Sequence, residues 1–372
     1  MCGFVGIVNY DKNLKNHDEI IKKMSNKITR RGPDENGYFI NEKVMFGHNR
    51  LIIRDKLGGK QPMTIKENET FYTICYNGQI YNSSELKKNL ENKGIVFNSY
   101  SDTEVLLRSY IYYGYDVPKY LNGIFSFAIW DSKKEELFIA RDNFGIKPFF
   151  YTFKNNNFVF GSEIKTLFEH PDIEKIVDSI GICELFGVGP AHTPGLTIYK
   201  EIYELKPGYY GVFDKCGLKI NSYWKLESKP HEDNFETTCR KINYLLEDSI
   251  SKQLVSDVPL GLMLSGGLDS SIITAYAINY CKTHNIALPK TFSVDYVDND
   301  KNFVKSDFQP NSDDYFISLM VNKFKTDHRK IILDTPELAS TLYDSVIARD
   351  APRNGRCWFF NAFILQRNKK RC

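Results

Sequence analysis

The chain has 372 residues, of which 42% are hydrophobic and 26% charged, and its formal net charge is +3. This length suits two domains with ample cores, and the small charge gives no reason to expect a nucleic-acid partner. No apolar run approaches the ~18 residues of a membrane span, and the N-terminus lacks the pattern of a signal peptide. We therefore expect a cytoplasmic enzyme with no membrane association.

The eight cysteines are scattered, with no Cys-x-x-Cys pair and no Cys/His spacing typical of a metal site. This distribution predicts a reducing compartment and no structural zinc. Cys2 directly follows Met1 and precedes an apolar run that predicts a short buried strand. Removal of Met1 would place a thiol nucleophile and an α-amine base on one residue. Taken alone, Cys2 is more simply a small apolar residue that opens an edge strand.

The first half of the chain predicts one helix followed by antiparallel strands. Apolar residues at helical spacing predict a helix over 18–29, which Gly32 and Pro33 terminate. Short alternating segments over 37–40, 44–46 and 71–76 predict the strands.

Three polar segments, 47–55, 76–82 and 101–104, interrupt this pattern. Each has a simple structural interpretation: Asn77-Gly78 is typical of a hairpin turn, Ser101 and Glu104 fit a capping box, and Arg50 fits a surface ion pair. Together with Cys2, however, they match the hydrolysis of the side-chain amide of a free amino acid.

That reaction needs a charged clamp for the amino acid and donors for an oxyanion. Arg50 can bind an α-carboxylate with its planar fork, and Asp102 can pair with an α-ammonium. The side-chain amide of Asn77 and the backbone N–H of Gly78 can stabilise the oxyanion.

At these segments the sequence resembles the class II (N-terminal nucleophile) glutamine amidotransferases. The resemblance covers most of 1–225 and includes Cys2-Gly3, Arg31-Gly32-Pro33-Asp34, His48-Asn49-Arg50-Leu51, Asn77 to Asn82, Ser101 to Glu104, Arg141-Asp142, Gly145-Ile146-Lys147-Pro148 and Gly161-Ser162-Glu163. It implies an α+β, four-layer αββα sandwich in which Cys2 is the nucleophile and Asn77 and Gly78 stabilise the oxyanion. The implied glutamine site comprises Arg50, Leu51, Ile52, Ile53, Arg54, Asn77, Gly78, Gln79 and Asp102. The family usually has Glu at the position of Gln79, so we expect glutamine binding to survive without that charge.

The second half predicts a separate domain over 235–352, joined to the first domain (1–226) by a linker at 227–234. A helix is predicted over 235–254, a buried strand over 258–264, further strands over 289–296 and 328–333, and a helix over 336–349. This alternation predicts a doubly wound parallel α/β domain. The turn Ser265-Gly266-Gly267-Leu268-Asp269-Ser270 separates the first strand from a helix, which is a geometry that binds phosphate.

The turn resembles the pyrophosphate loop of enzymes that adenylate their substrates. The resemblance places ATP against Leu264, Ser265, Gly266, Gly267, Leu268, Asp269, Ser270 and Val294, with Asp269 near a Mg²⁺–pyrophosphate. The fusion of this loop to a class II glutaminase resembles the glutamine-hydrolysing asparagine synthetases. It implies that glutamine supplies ammonia through a Cys2 thioester, and that aspartate and ATP form a β-aspartyl-AMP that ammonia attacks. The sequence leaves a homodimer open.

The resemblance stops at Pro352. Residues 353–372 have no family counterpart, but a chosen back-translation read one nucleotide later gives a family-like helix. We therefore expect an out-of-frame tail on an incomplete ATP-pyrophosphatase domain, and resequencing around Pro352 would test this.

Four other functions remain open. A stand-alone glutaminase with a non-functional synthetase remnant would release glutamate regardless of ATP and aspartate. A synthetase for another acceptor, as in β-lactam-forming relatives, is disfavoured by the presence of Cys2. A binding module without catalysis would be indifferent to Cys2→Ala. A phosphoribosyl-transferring amidotransferase would not need the Ser265 to Ser270 loop.

Overall fold

The computed structural model describes residues 1–188, 191–307 and 311–351. This part of the chain forms two compact units, one of residues 1–228 with 349–351 and one of residues 229–348. The predictions made for 353–372 lie outside the described residues. Within them, no helix combines the length and the apolar character needed to cross a membrane.

The first unit is built mainly from strands. They are β1 (Gly3–Val8), β2 (Glu35–Ile40), β3 (Val44–Arg50), β4 (Met63–Glu67), β5 (Thr70–Ile80), β6 (Gly123–Asp131), β7 (Glu136–Arg141), β8 (Phe150–Lys154), β9 (Asn157–Gly161), β10 (Tyr203–Glu204), β11 (Tyr209–Asp214) and β12 (Gly217–Ser222). The helices are α1 (Asp18–Asn26), α2 (Ser83–Glu91), α3 (Asp102–Tyr113), α4 (Ile164–Leu167) and α5 (Ser179–Phe186), with 3-10 turns at Leu14–His17 and Gly114–Tyr120.

Within the described ranges these strands form two six-stranded antiparallel sheets, ordered β10-β8-β9-β1-β3-β2 and β12-β11-β7-β6-β5-β4. Their inner faces share one apolar core, in which Phe4 and Phe46 of the first sheet pack with Trp130 of the second. The αββα sandwich is therefore confirmed, with α1 covering the outer face of the first sheet and α3 that of the second.

Strand β1 is buried on both faces. Val5 and Ile7 pack towards α1, whereas Phe4 and Val8 enter the core between the sheets. Burial on both faces explains why the strand is a continuous apolar run rather than an alternating one. Because β1 pairs with β3 and β9, it is a central strand, and Cys2 lies at its start rather than on a sheet edge.

The second unit has a parallel sheet of the order β13-β14-β15 in its described part. Its elements are α6 (Phe235–Gln253), β13 (Gly261–Met263), α7 (Leu268–Thr283), β14 (Lys290–Tyr296), α8 (Asn299–Asn302), α9 (Asp313–Phe324), β15 (His328–Leu333), α10 (Thr335–Ser340) and α11 (Leu342–Arg349). The alternation of strands and helices confirms the predicted parallel α/β architecture.

Two predicted elements of this unit differ from the structure. The strand expected over 258–264 is reduced to β13, and Met263 remains 45% exposed because β13 is paired on one side only in the described sheet. The helix expected over 336–349 is divided between α10 and α11. At the break, the hydroxyl of Thr341 donates to the Leu338 carbonyl at 2.8 Å, a local bond that competes with continuation of the helix.

Candidate active site

The thiol of Cys2 lies against the end of β3. The antiparallel pairing of Gly3 with Asn49 brings the start of β1 beside Leu51, whose N–H donates to Sγ at 3.4 Å and whose carbonyl lies 3.6 Å from Sγ. Burial raises the pKa of the Cys2 thiol, although the Leu51 N–H, the charge of the chain's N-terminus and Arg50 all favour the thiolate. The thiol therefore needs a base to become an efficient nucleophile.

The carbonyl of Cys2 is held by two further residues. Arg31 Nε donates to it at 2.8 Å, and the Asn77 side-chain nitrogen donates at 3.2 Å. The Asn77 amide orientation is assigned from its neighbours, since its oxygen then accepts from Arg31 at 3.3 Å. Arg31 is fixed in turn by a 3.0 Å ion pair with Glu163. Asn77 is thus beside Cys2, as predicted, with its amide engaged on the backbone of the nucleophile.

Gly78 offers a backbone donor towards this site. The backbone N–H groups of successive residues in a β-strand point to opposite edges of the strand. Tyr76, Gly78 and Ile80 therefore direct their N–H groups to the same edge of β5. Tyr76 N–H donates to Gln61 Oε1 at 2.7 Å and Ile80 N–H to Asp102 Oδ2 at 3.1 Å. The Gly78 N–H between them has no partner among the described residues.

Gly78 also has no room for a side chain. A Cβ at this position would lie 2.3 Å from the Ile124 carbonyl oxygen and 2.6 Å from the Tyr76 ring. Asn77 and Gly78 lie inside β5, opposite Ser126 and Phe125, so the alternative interpretation as a hairpin turn was wrong.

Asp102 opens α3 behind β5. It is 8% exposed and accepts from the Tyr76 hydroxyl at 2.9 Å as well as from Ile80. Burial raises the pKa of its carboxyl, whereas the Ile80 N–H and the Tyr76 hydroxyl favour the ionised form. Its charge acts on Cys2, where it raises the pKa of the thiol. The fold therefore brings Asp102 within electrostatic range of Cys2.

Arg50 organises the loop that follows β3. It is 4% exposed, pairs with Glu35 at 2.8 Å and donates to the carbonyls of Arg54, Asp55 and Lys56 at 3.1, 2.5 and 2.9 Å. The surface ion pair considered from the sequence is therefore a buried one. Both terminal nitrogens of Arg50 already donate to these groups. A substrate carboxylate bound by Arg50 would therefore share these nitrogens with Glu35 and the loop carbonyls.

The remaining residues of the predicted glutamine site surround this loop. Ile52 N–H donates to Asp34 Oδ2 at 2.8 Å, Ile53 is 38% exposed, and Arg54 donates to the Ser83 hydroxyl at 2.8 Å. Gln79 follows Gly78 in β5, opposite Ile124. The predicted glutamine-site residues thus lie on β5, at the start of α3, at the end of β3 or on the loop that follows β3.

Sequence reasoning assigned no role to Arg31 or Lys147, although both lie in segments that carry the family resemblance. Gly32 explains how Arg31 reaches Cys2, because a Cβ on Gly32 would lie 2.1 Å from the Asn49 carbonyl oxygen. That close approach presses the segment against β3. The Arg31-Gly32-Pro33-Asp34 motif was visible in the sequence, but the role of Arg31 depends on contacts with residues distant in sequence.

The predicted ATP loop lies between β13 and α7. Gly266 has φ +82°, and a Cβ there would lie 2.8 Å from the Asp313 carbonyl oxygen. The Ser270 hydroxyl donates to the Gly267 carbonyl at 3.1 Å and accepts from Ser265 N–H at 3.2 Å, which closes the turn. Gly267 precedes α7 without a side-chain cap, so the first N–H groups of the helix are available to an anion.

Of the two residues predicted beside adenine, Leu264 directly follows β13 and Val294 lies within the neighbouring β14. Leu264 is 1% exposed and its N–H donates to the Phe292 carbonyl at 2.7 Å, two residues before Val294 on β14. Leu268 and Asp269 are exposed at the start of α7. The loop therefore presents backbone donors that suit an anion such as a phosphate.

The described residues do not form a protein-held site for Mg²⁺. No group of three or more His, Cys, Asp or Glu side chains in this part of the chain could hold a metal ion. Asp269 would supply one carboxylate, and phosphate oxygens and waters would complete the six ligands that Mg²⁺ favours.

These features define an αββα sandwich with a cysteine at the start of a central strand, followed by a parallel α/β unit with a glycine-rich turn. The family model of the glutamine amidotransferase domain matches residues 1–224, and the chain belongs to this family. The asparagine synthase model matches residues 241–372. Both family resemblances inferred from the sequence are confirmed.

Among curated relatives, asparagine synthetase (glutamine-hydrolyzing) 3 of Bacillus subtilis is 45% identical over 95% of this chain and 57% of its own length. Asparagine synthetase (glutamine-hydrolyzing) 1 of the same organism is 39% identical over 80% of this chain and 46% of its own length. The chain therefore spans about half the length of these relatives. A solved glutamine phosphoribosylpyrophosphate amidotransferase from B. subtilis has a TM-score of 0.46 and 16% identity, covering 89% of this chain and 81% of its own.

Proposed function

We propose that the first unit hydrolyses glutamine through a thioester on Cys2. After removal of Met1, the α-amine takes the proton of the thiol, and the thiolate attacks the side-chain amide carbon of glutamine. The resulting C–S bond places negative charge on the former carbonyl oxygen. The C–N bond then breaks, the α-ammonium returns the proton, ammonia leaves, and water hydrolyses the thioester to glutamate.

The unpartnered N–H of Gly78 is the observation that carries this proposal. It is flanked by two satisfied N–H groups on the same strand edge and lies next to Asn77, which contacts Cys2. A donor held in this way costs little reorganisation when charge develops on a substrate oxygen. Asn77 would contribute its side-chain amide to the same oxyanion.

Asp102 and the loop after β3 would hold the amino-acid end of glutamine. Asp102 supplies the one charge opposite to an α-ammonium, and Arg50 with Leu51, Ile52, Ile53 and Arg54 forms the wall for the α-carboxylate. Gln79 offers an amide rather than a carboxylate to the ammonium group. These roles rest on the positions of the residues around Cys2 described above.

For the second unit, we infer binding of ATP at Ser265–Ser270, with Leu264 and Val294 beside the base. The names of the relatives support aspartate as the acceptor and asparagine as the product. Mg²⁺ would accompany the pyrophosphate, with Asp269 beside it. The domain limits 1–226, 227–234 and 235–352, a cytoplasmic location and a homodimer remain proposals.

The test is to incubate the purified chain with glutamine and to measure glutamate, after mass spectrometry has established whether Met1 is removed. Glutamate formation by the Met1-free protein supports the glutaminase. Asparagine formation that requires ATP and aspartate supports the complete reaction, whereas glutamate formation without asparagine restricts the function to the first unit. No glutamate from the Met1-free protein would exclude the proposal.

A further inference from the structure

A row of four alternating charges ends at the carbonyl of Cys2. Arg31, whose Nε donates to that carbonyl at 2.8 Å, pairs with Glu163 Oε1 at 3.0 Å. The other carboxylate oxygen of Glu163 pairs with Lys165. Lys165 also pairs with Asp350, and its Nζ lies 3.2 Å from Oδ1. Successive ion pairs therefore join the carboxylate of Asp350 to the residue that holds the nucleophile.

The four charged side chains lie largely out of solvent, since each is between 6% and 21% exposed. Burial raises the pKa of Asp350, and the Lys165 charge favours its ionised form. Buried charges need partners, and two cations alternating with two carboxylates balance one another. Loss of one member would leave an uncompensated charge, so the remaining members would have to rearrange.

Asp350 comes from a part of the chain that the glutamine amidotransferase model does not reach. That model matches residues 1–224, whereas the segment 349–351 belongs to the first unit and directly follows the second unit in the chain. The Tyr199 hydroxyl donates to the Asp350 carbonyl at 2.8 Å. Asp350 has φ +59°, a left-handed conformation that Asp and Asn adopt more readily than most residues. The segment is thus held both by a side chain and by a backbone carbonyl.

The guanidinium of Arg31 contacts two parts of the candidate active site. Besides holding the Cys2 carbonyl, it donates at 3.3 Å to the Asn77 side-chain oxygen, while the Asn77 nitrogen donates to the same Cys2 carbonyl at 3.2 Å. A shift of Arg31 would therefore displace both the nucleophile and the proposed oxyanion donor. Misplacement of a reacting group by about 1 Å can cost about a hundredfold in rate.

We propose that Asp350 is a positioning residue for the nucleophile, which acts through Lys165 and Glu163 to hold Arg31 on the carbonyl of Cys2. The inference rests on the proposed glutaminase function. Without the Asp350 charge, Lys165 attracts Glu163 more strongly, and Glu163 then holds Arg31 less firmly. Arg31 orients the nucleophile rather than the amino-acid end of glutamine, so its displacement lowers kcat and leaves KM unchanged.

The first experiment compares Asp350→Asn with Glu204→Gln in the Met1-free protein. Asn keeps the size and the backbone conformation of Asp350 and removes only its charge. Glu204 is the matched control, because it loses a carboxylate from another buried ion pair of the first unit, at 2.9 Å from Arg141. We expect Asp350→Asn to lower the kcat of glutamate release about tenfold without a change in KM. Glu204→Gln should leave both constants unchanged, and equal kcat values in the two variants would overturn the proposal.

A double-mutant cycle tests the route from Asp350 to Arg31. Glu163→Gln removes the carboxylate next to Arg31, so the further change Asp350→Asn should not lower kcat again. Additive losses in the double variant would show that Asp350 acts by another route, which would overturn the relay through Glu163.

The side-chain N–H of Arg31 provides a measurement that needs no turnover. In protein with isotopically labelled arginine, NMR follows the exchange of the Arg31 Nε–H with water, and Arg31→Lys identifies its signal. This exchange should be about tenfold faster in Asp350→Asn and unchanged in Glu204→Gln. Unaltered exchange in a folded Asp350→Asn protein would overturn the proposal, whatever the kcat.

Tyr199→Phe provides a milder variant if Asp350→Asn does not fold. It removes the hydroxyl that holds the Asp350 carbonyl and keeps the ring that packs against Phe168. Its exchange and kcat should change in the same directions, and unaltered exchange would again overturn the proposal. Absence of glutamate formation by the original protein would remove the proposed function, while the Arg31 exchange would still decide the role of Asp350.

Discussion

The hydroxyl of Tyr76 and the carboxylate of Asp102 form a buried hydrogen bond of 2.9 Å. It joins β5, which carries the proposed oxyanion donors, to the first residue of α3. Because the bond stabilises the ionised carboxylate, it partly offsets the burial that raises the pKa of Asp102. The hydroxyl of Tyr76 therefore favours the charged form of the residue that would receive the α-ammonium of glutamine.

Tyr76→Phe should raise the pKa of Asp102 by about one unit, the effect of losing a hydrogen bond to a charged group. Glutamine binding needs the carboxylate, so the acidic limb of kcat/KM should move to higher pH by the same amount. The control is Tyr10→Phe, which removes a 2.7 Å hydrogen bond to the Glu135 carbonyl. An acidic limb that stays in place in Tyr76→Phe would argue against Asp102 as the ammonium site.

Cys2→Ala should reduce glutamine hydrolysis by roughly a thousandfold or more, because it removes the nucleophile of the proposed thioester. Cys216→Ala, at an exposed cysteine, serves as the matched control and should retain full activity. Glutamate release is the measurement. Equal activity in both variants would leave Cys2 without a catalytic role.

Gly78→Ala should destabilise the first unit by ~1–3 kcal/mol, since its Cβ would meet backbone atoms that cannot move aside easily. Gly211→Ala in the same sheet provides the comparison, because its Cβ would meet only side-chain atoms of Ile139 and Leu218 at 3.1 Å. Urea unfolding gives both free energies. Similar losses of unfolding free energy in the two variants would mean that the β6 backbone moves away from the new Cβ more easily than its pairing with β5 suggests.

The burial of His48 leads us to expect that the stability of the first unit depends on pH. His48 is fully buried, its Nε2 lies 3.0 Å from the Tyr76 carbonyl, and burial lowers its pKa from 6.5 to about 4, assisted by the Arg50 charge. Below pH 6.5 the histidine is protonated in the unfolded chain but stays neutral in the folded chain. The free energy of unfolding therefore decreases as the pH falls from 6.5 towards 4. Between pH 7 and pH 5 we expect a loss of about 2 kcal/mol.

Urea unfolding at the two pH values measures this loss, and His48→Gln should reduce the difference between them. His231→Gln, at an exposed position, should leave the difference unchanged. An equal pH dependence in the protein and in His48→Gln would assign the effect to other groups.

Gly266→Ala should weaken ATP binding by about tenfold or more, because φ +82° and the nearby Asp313 carbonyl both disfavour a side chain. Isothermal titration with ATP measures the affinity, and glutamine hydrolysis by the same variant is the internal control. Unaltered ATP binding would show that the loop is not the nucleotide site. Loss of both activities would indicate a wider folding defect.

The sequence predicted most elements because their patterns are local. The helix expected over 18–29 is α1. The strand expected over 44–46 is the first part of β3, and the strand expected over 71–76 lies inside β5, which extends beyond it at both ends. Asn77-Gly78 shows the limit of local reasoning. Its turn signal is overridden because β6, nearly fifty residues later, pairs with β5 along this stretch.

Side-chain partners were harder to predict than elements. Ser101 caps α3 as expected, accepting from Thr103 N–H at 3.2 Å, but Glu104 accepts from Asn98 and Ser99 instead of completing a capping box. The positions of Arg31 and Lys147 depend on how β1 pairs with β3 and on the turn after β7. No spacing in the sequence encodes those contacts directly.

The open edge of β5 has a consequence for association between molecules. Strand β4 pairs with β5 only as far as Ile74, and an unpaired strand edge is a template for a strand from another chain. Here Gln61 and Asp102 already occupy the N–H groups of Tyr76 and Ile80, which leaves a gap one hydrogen bond wide at Gly78. A single small oxygen fits such a gap, whereas an incoming β-strand would find the neighbouring pairing positions taken. The Gly78 donor therefore stays open to a small ligand without inviting edge-to-edge aggregation.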